Sequence, residues 1–229
     1  MTELEYIGDF IIPNRTHYVT FQEHICRYAF ASKFVRNKVV LDLACGSGYG
    51  SNYSLKKNAK EVVGGDVSKH ALEHARKHYR EHGLNFVRLD ATSLPFLHDS
   101  FDVIISLETI EHIKEYRMFL SECRRVLREK GVLICSTPNK EMYSPFTEKP
   151  LHPFHVHEFY IMELYELLKE YFMDIMFFGQ HFLTLKAKIT SMLFSMGATL
   201  LSVTAKLSKI RKLFNFFSHS LYGIAQIRE

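Results

Sequence analysis

From Lys38 onward, strand-length apolar runs alternate with helical stretches, and no other feature of the chain limits its fold so much. KVVLDLA (38–44), EVVGGDV (61–67), LNFVRLD (84–90), FDVIISL (101–107) and VLICSTPN (132–139) read as five strands. Near-continuous apolar runs of this length suit strands buried on both faces. Between them, KHALEHARKHYREHG (69–83) and EYRMFLSECRRVLREKG (115–131) read as helices that stop at a glycine. Strands alternating with helices imply right-handed crossovers and a doubly wound parallel sheet. FMDIMFFG (172–179), after the helix HEFYIMELYELLKEY, and SLYGIAQIR (220–228) add two strands. The expectation is an α/β chain with a seven-stranded, mostly parallel sheet in a single domain over 1–229. A helical cap over 1–37 precedes the sheet, and a helical insertion over 182–217 precedes its last strand.

Composition narrows the setting. A hydrophobic content of 47% is too high for a disordered chain. A net charge of +4 permits an anionic partner without requiring one, and no clustered basic face stands out. The four cysteines, Cys26, Cys45, Cys123 and Cys135, form no CxxC pair, so a reduced, cytoplasmic setting is expected. The opening MTELEYIGDF carries acids and no long apolar run, unlike a secretory signal.

In an open sheet of this kind the ligand sits beyond the carboxyl ends of the strands. The first such loop is CGSGYG, with Gly46, Gly48 and Gly50. Glycines there let the backbone approach a ligand closely. Their spacing does not fit the G-x-G-x-x-G of a nicotinamide dehydrogenase. Asp66 ends the second strand, where an acid can accept both hydroxyl protons of a ribose. Asp90 ends the third, near where an adenine amino group would lie, and apolar neighbours there would sandwich the ring.

Taken in order, VLDLACGSGYG, the acid of VVGGDVS, LDATSLPF, FDVIISLETIEHI and the helix ending in GVLICSTPN resemble the class I S-adenosylmethionine-dependent methyltransferases. The likeness covers about residues 38–180. It implies that Gly46, Ser47 and Gly48 pack against the methionine part of the cofactor and that Asp66 takes the ribose. It places Asp90, Ala91 and Thr92 around the adenine, and it adds Asp42, Ala44, Val67 and Leu107 to the cofactor set. Ala44 stands where that family often has a first glycine, a mild departure.

Transfer to a hydroxyl requires a base, or a metal that lowers the hydroxyl's pKa. The segment after the fourth strand is LETIEHI. If it begins a helical turn, Glu108, Glu111 and His112 share one face at i, i+3 and i+4 and point into the substrate mouth. Two carboxylates and an imidazole at that spacing suit a divalent ion such as Mg. A fourth group can come from LHPFHVHEF, which holds His152, His155 and His157. The order LETIEHI, STPNKEM, FHVHEFYIMEL is similar to small-RNA 2′-O-methyltransferases, and the E-x-x-E-H segment also to ubiquinone-pathway O-methyltransferases. The first likeness implies a metal set of Glu108, Glu111, His112 and His155. ETIEHI equally resembles glycan-modifying methyltransferases with no established metal, in which the Glu–His pair caps a helix and positions the substrate. Glu111, His112 and His155 are the catalytic candidates in either case.

Other features have blander readings. His70, His74, His78 and His82 recur every fourth residue on a helix rich in Lys, Arg and Glu, as a solvated face does. On the cap, Arg27 beside His24 and Tyr28 suits either the methionine carboxylate, an acidic substrate or plain packing. Residues 189–205 carry no charge and are flanked by Lys186, Lys188, Lys206, Lys209, Arg211 and Lys212. This stretch is too short and too polar to span a bilayer. It reads as a lid or homodimer surface, or as a peripheral membrane contact through 182–217. The function expected is S-adenosylmethionine-dependent O-methylation of a sugar, glycolipid or quinol/polyphenol-like acceptor, free or lipid-linked. An RNA 2′-O-methyltransferase and a non-catalytic cofactor-binding subunit are the alternatives. The first lacks a separate RNA-binding module, and the second has no need of the acid-and-histidine set.

Overall fold

The structure is a computed structural model that describes residues 10–13 and 15–180, and residues 220–226 as backbone. The expected insertion over 182–217, with its lid, dimer or membrane roles, lies outside the described residues. Seven strands form one sheet: β1 (Val39–Leu43), β2 (Glu61–Asp66), β3 (Leu84–Arg88), β4 (Phe101–Leu107), β5 (Leu127–Pro138), β6 (Asp174–Gln180) and β7 (Ser220–Gln226). Their order is β3-β2-β1-β4-β5-β7-β6. The first five run parallel, and β7 lies antiparallel to both β5 and β6.

Both faces of the sheet are covered, as the apolar runs require. Along β1, Val40 faces a cluster with Tyr28, Ala31, Val62, Val103 and Ile105, while Leu41 and Leu43 face Ile104, Phe119, Leu120, Leu133 and Leu168. Tyr28 and Ala31 come from α1 (Tyr18–Ala31). Phe119 and Leu120 come from α4 (Tyr116–Val126), and Leu168 from α6 (Ile161–Lys169). The remaining helices are α2 (Tyr49–Lys56), α3 (Lys69–His78) and the single turn α5 (Lys140–Tyr143).

Two helices stop short of their sequence limits. Ser68 caps α3 by accepting from the Ala71 amide, but the helix ends at His78 rather than 83. Tyr79 turns extended there, which lets its ring pack on the cluster around Tyr28 and Val62. His82 therefore leaves the expected stripe. His74 and His78 still stack at 4.0 Å between ring centroids, and α4 likewise ends at Val126. The chain enters β5 at once because Leu127 pairs with Phe101, and the register then shifts before Val132 pairs with Val103.

β1 and β4 are neighbours from opposite halves of the winding, so the loops that follow them diverge and leave a crevice. Among the described residues, no helix is long and apolar enough to cross a membrane.

Candidate active site

The crevice is a cavity of about 920 Å³ bounded by the loops after β1, β2, β3 and β4, by α1, and by the segment 138–155. Its two ends differ in chemistry.

At one end the backbone leaves β1 through Ala44, Gly46 and Gly48, each with positive φ (63°, 53° and 82°). At Gly48, a Cβ would lie 2.6 Å from the Ala75 Cβ and 2.8 Å from the Phe86 ring, so only glycine lets α2 start this close to α3. Ser47 Oγ donates to the Ile11 carbonyl at 2.5 Å, which draws residues 10 and 11 over the loop. Asp66 accepts from the Gly46 amide at Oδ2 and the Ser68 amide at Oδ1, both at 2.8 Å. Each oxygen keeps a lone pair for another donor. Burial holds the Asp66 carboxyl above its usual range, and the backbone amides act against that. Val67, Leu89, Ala91 and Leu107 supply apolar walls. Asp90 lies at the edge and is held below the usual carboxylate range by the amide and hydroxyl of Thr92.

Of the cofactor candidates, Ala44, Gly46, Ser47, Asp66, Val67, Asp90, Ala91 and Leu107 line the cavity. Asp42, Gly48 and Thr92 do not. Asp42 lies beneath the loop, buried, and accepts from Tyr28 Oη at 3.0 Å and Ser51 Oγ at 2.5 Å. Burial pushes its carboxyl up to about 6. Gly48 is tucked between helices, and Thr92 orients Asp90.

At the other end, the expected helical turn over 108–112 is not formed as a unit. Glu108 has φ 53°, and only Ile110–His112 make a 3-10 turn. Glu108 still lines the cavity, but its carboxylate is engaged by other partners. Its Oε1 accepts from Ser136 Oγ at 2.7 Å, and its Oε2 lies 3.5 Å from the buried Arg27. Glu111 is fully buried; its Oε2 accepts from Thr137 Oγ1 at 2.9 Å, and its Oε1 has no hydrogen-bond partner. Burial, and then the charge of Glu108, raise the Glu111 carboxyl well above its usual range. The Glu111 carbonyl accepts from the amides of Val156 and His157, which pins the histidine loop against the turn.

That loop brings His155 to Glu111 and His112, and ligand atoms of the three lie within 4.8 Å of one another. His112 Nδ1 faces the Phe154 carbonyl at 2.9 Å, so Nδ1 carries the proton and Nε2 the free lone pair. Desolvation lowers the pKa of His155, against the pull of Glu158. Of its neighbours, His152 lines the cavity with its ring 4.4 Å from that of His155, tilted by 31°, whereas His157 turns to Glu163. Two groups here were not among the sequence candidates: Tyr143, whose ring is 5.5 Å from that of His155, and Glu158, bonded to His155. The only signal for Glu158 was its place three residues after His155. Arg27 sits in the cavity wall with its Nε donating to Gln180 Oε1 at 3.0 Å, so packing alone does not describe it.

The parallel sheet with one reversed strand, the glycine turn after β1 and the acid after β2 are the arrangement that the methyltransferase resemblance implies. Residues 41–135 match the family described as a methyltransferase domain. A probable S-adenosylmethionine-dependent methyltransferase of Mycolicibacterium smegmatis is 36% identical over 153 residues, covering 65% of this chain and 57% of that one. A phthiotriol/phenolphthiotriol dimycocerosates methyltransferase of Mycobacterium ulcerans is 33% identical over 116 residues, covering 49% and 43%. The chain thus matches about half the length of these relatives. An S-adenosylmethionine-dependent methyltransferase of Mesorhizobium loti shares the fold with a TM-score of 0.61 at 17% identity, over 87% of this chain and 97% of that one.

Proposed function

We propose that this chain transfers a methyl group from S-adenosylmethionine to a hydroxyl of a sugar, glycolipid or quinol/polyphenol-like acceptor. One observation carries the reading. A single cavity joins the glycine loop and Asp66 at one end to Glu111, His112 and His155 at the other. The first end suits the cofactor: the loop over residues 44–47 lines the cavity, and each Asp66 oxygen can accept one ribose hydroxyl. When bound, S-adenosylmethionine supplies an electrophilic methyl: its C–S bond breaks with the electron pair left on sulfur as a C–O bond forms to the acceptor. The chain's own work is alignment and proton removal. His155 Nε2 accepts the hydroxyl proton, and the protonated Glu111 favoured by burial orients the acceptor oxygen.

A second reading rests on the unpartnered Glu111 Oε1. This buried oxygen and two imidazole nitrogens fit a divalent ion, which Glu111, His112 and His155 would hold. Such an ion would lower the acceptor's pKa. Glu108 is engaged by Ser136 and Arg27 and stands outside this set.

Within the acceptor class, a lipid-linked molecule comes first. Phe154 lines the cavity and is half exposed, and Phe146 and Leu151 are exposed in the same segment. The Mycobacterium ulcerans relative is named for dimycocerosates.

The deciding experiment incubates the protein and methyl-labelled S-adenosylmethionine with lipid, glycan, small-molecule and RNA fractions, each with and without chelator. Label in the lipid or glycan fraction is expected. Label in RNA alone would replace the reading by 2′-O-methylation of RNA, and cofactor binding with no label anywhere would leave a non-catalytic subunit. Chelator sensitivity selects the metal reading. His155→Gln, which removes the proposed base, should cut turnover by about 100-fold with cofactor Kd nearly unchanged. An equal loss of cofactor affinity would remove His155 from the acceptor end.

A further inference from the structure

Glu158 is a carboxylate with a fully buried side chain, outside the proposed set of catalytic and metal residues. Burial of an acid is expensive unless each oxygen finds a donor. Both do here. Oε1 faces His155 Nδ1 at 2.7 Å, and Oε2 accepts from the buried Ser144 hydroxyl. The frame around them is stitched by backbone bonds. Ser144 follows α5 with its amide on the Lys140 carbonyl, and the Lys140 amide is on the Phe159 carbonyl, one residue after Glu158. Asn139 and Phe159 form a β-bridge at the end of β5. The Ser144–Glu158–His155 chain thus hangs from two anchored points.

A neutral imidazole has one N–H. With Nδ1 donating to Glu158 Oε1, the lone pair is left at Nε2. His155 lines the cavity, with its ring 4.9 Å from that of His112.

We propose that Glu158 is the positioning residue of the acceptor end, fixing the Nδ1–H tautomer and ring orientation of His155 so that the Nε2 lone pair faces the cavity, with Ser144 holding Glu158. This rests on the reading of the acceptor end given above, and it applies whether Nε2 takes a proton or a metal. It acts through His155 and does not touch the acceptor.

The test reads the tautomer directly. Protein labelled with ¹⁵N-histidine is observed by NMR with no acceptor added, and His155 is assigned by its loss in His155→Gln. The wild type should show Nδ1 protonated and Nε2 bare. Glu158→Ala should shift His155 toward the Nε2–H form. If that variant does not fold, Glu158→Gln, which keeps the volume without the charge, should show a mixture. Turnover should fall about 10-fold or more, with KM for S-adenosylmethionine within about twofold, the small change expected of a group outside the cofactor end. A wild-type His155 protonated at Nε2 overturns the proposal, as does an unchanged tautomer in the folded variant. If the tautomer behaves as expected but no fraction accepts label, the positioning stands and hydroxyl methylation falls.

Discussion

Ala44 and Glu108 leave the ends of β1 and β4 with φ of 63° and 53°, in a region that costs a side chain about 1–2 kcal/mol. They are the first residues of the two loops that frame the cavity. Glu108 is held there by Ser136, which accepts from its amide through the carbonyl at 2.9 Å and donates its hydroxyl to its carboxylate. Nothing of the kind holds the exposed Ala44 methyl. Ala44→Gly should therefore stabilise the fold by about 0.5–1 kcal/mol, the relieved strain less the entropy that glycine adds to the unfolded chain. Urea denaturation checks this, and a loss of stability would show that the Ala44 backbone is not strained.

Among the elements, α1 and α2 meet at Gly50. A Cβ there would fall 1.8 Å from Tyr28 Cζ, inside the ring of a buried tyrosine. The same ring carries the hydroxyl that reaches Asp42 under the glycine loop. Gly50 is thus a packing residue whose loss would push α1 off the sheet and cut the link between cap and loop. Gly50→Ala should cost about 3 kcal/mol or more and weaken S-adenosylmethionine binding in parallel. Thermal unfolding with calorimetric titration measures both. Unchanged stability would mean that α1 does not pack as described. The helix ends that differ from the sequence reading also belong to this scale. Tyr79 ends α3 early to bury its ring, a choice that depends on a core contact and not on the local run of Lys, Arg and His.

For the molecule as a whole, the buried Asp42 and the half-buried His24 give opposite pH dependences. The Asp42 carboxyl moves from 3.8 up to about 6 through burial, so the folded chain holds its proton more tightly than the unfolded chain does. The stability this adds is full below 3.8 and is lost as pH rises to about 6. His24 is pushed from 6.5 down to about 3 by burial and then by Arg27. Its contribution is full above 6.5 and is lost as pH falls toward 3. The two slopes oppose each other in the wild type, and single variants separate them. The deficit of Asp42→Asn relative to wild type should be greater at pH 4 than at pH 7, by up to about 3 kcal/mol. The deficit of His24→Gln should be greater at pH 7. Thermal unfolding at the two pH values decides, and a deficit independent of pH in either variant would contradict the burial assigned to that group.

The order of strands and helices from β1 to β5, and the glycine turn and strand-end acids that line the cavity, were legible in the chain alone. They depend on local causes: apolar runs of strand length, glycine where the backbone must come close, and acids where a strand stops. The acceptor end was legible only as a list of residue types. The i, i+3, i+4 spacing suggested that Glu108, Glu111 and His112 would share a face. A left-handed Glu108 and a 3-10 turn over Ile110–His112 replace that helical spacing, and Ser136 on the neighbouring strand captures the Glu108 backbone and side chain. His155 was already named by the resemblance, and the bonds of its loop to the Glu111 carbonyl are what bring it to Glu111 and His112, whereas Glu158 emerged only once burial gave its oxygens specific partners. Spacing along a strand or helix is set by local geometry, whereas the direction of a loop side chain is set by contacts from segments tens of residues away, which only the tertiary structure brings together.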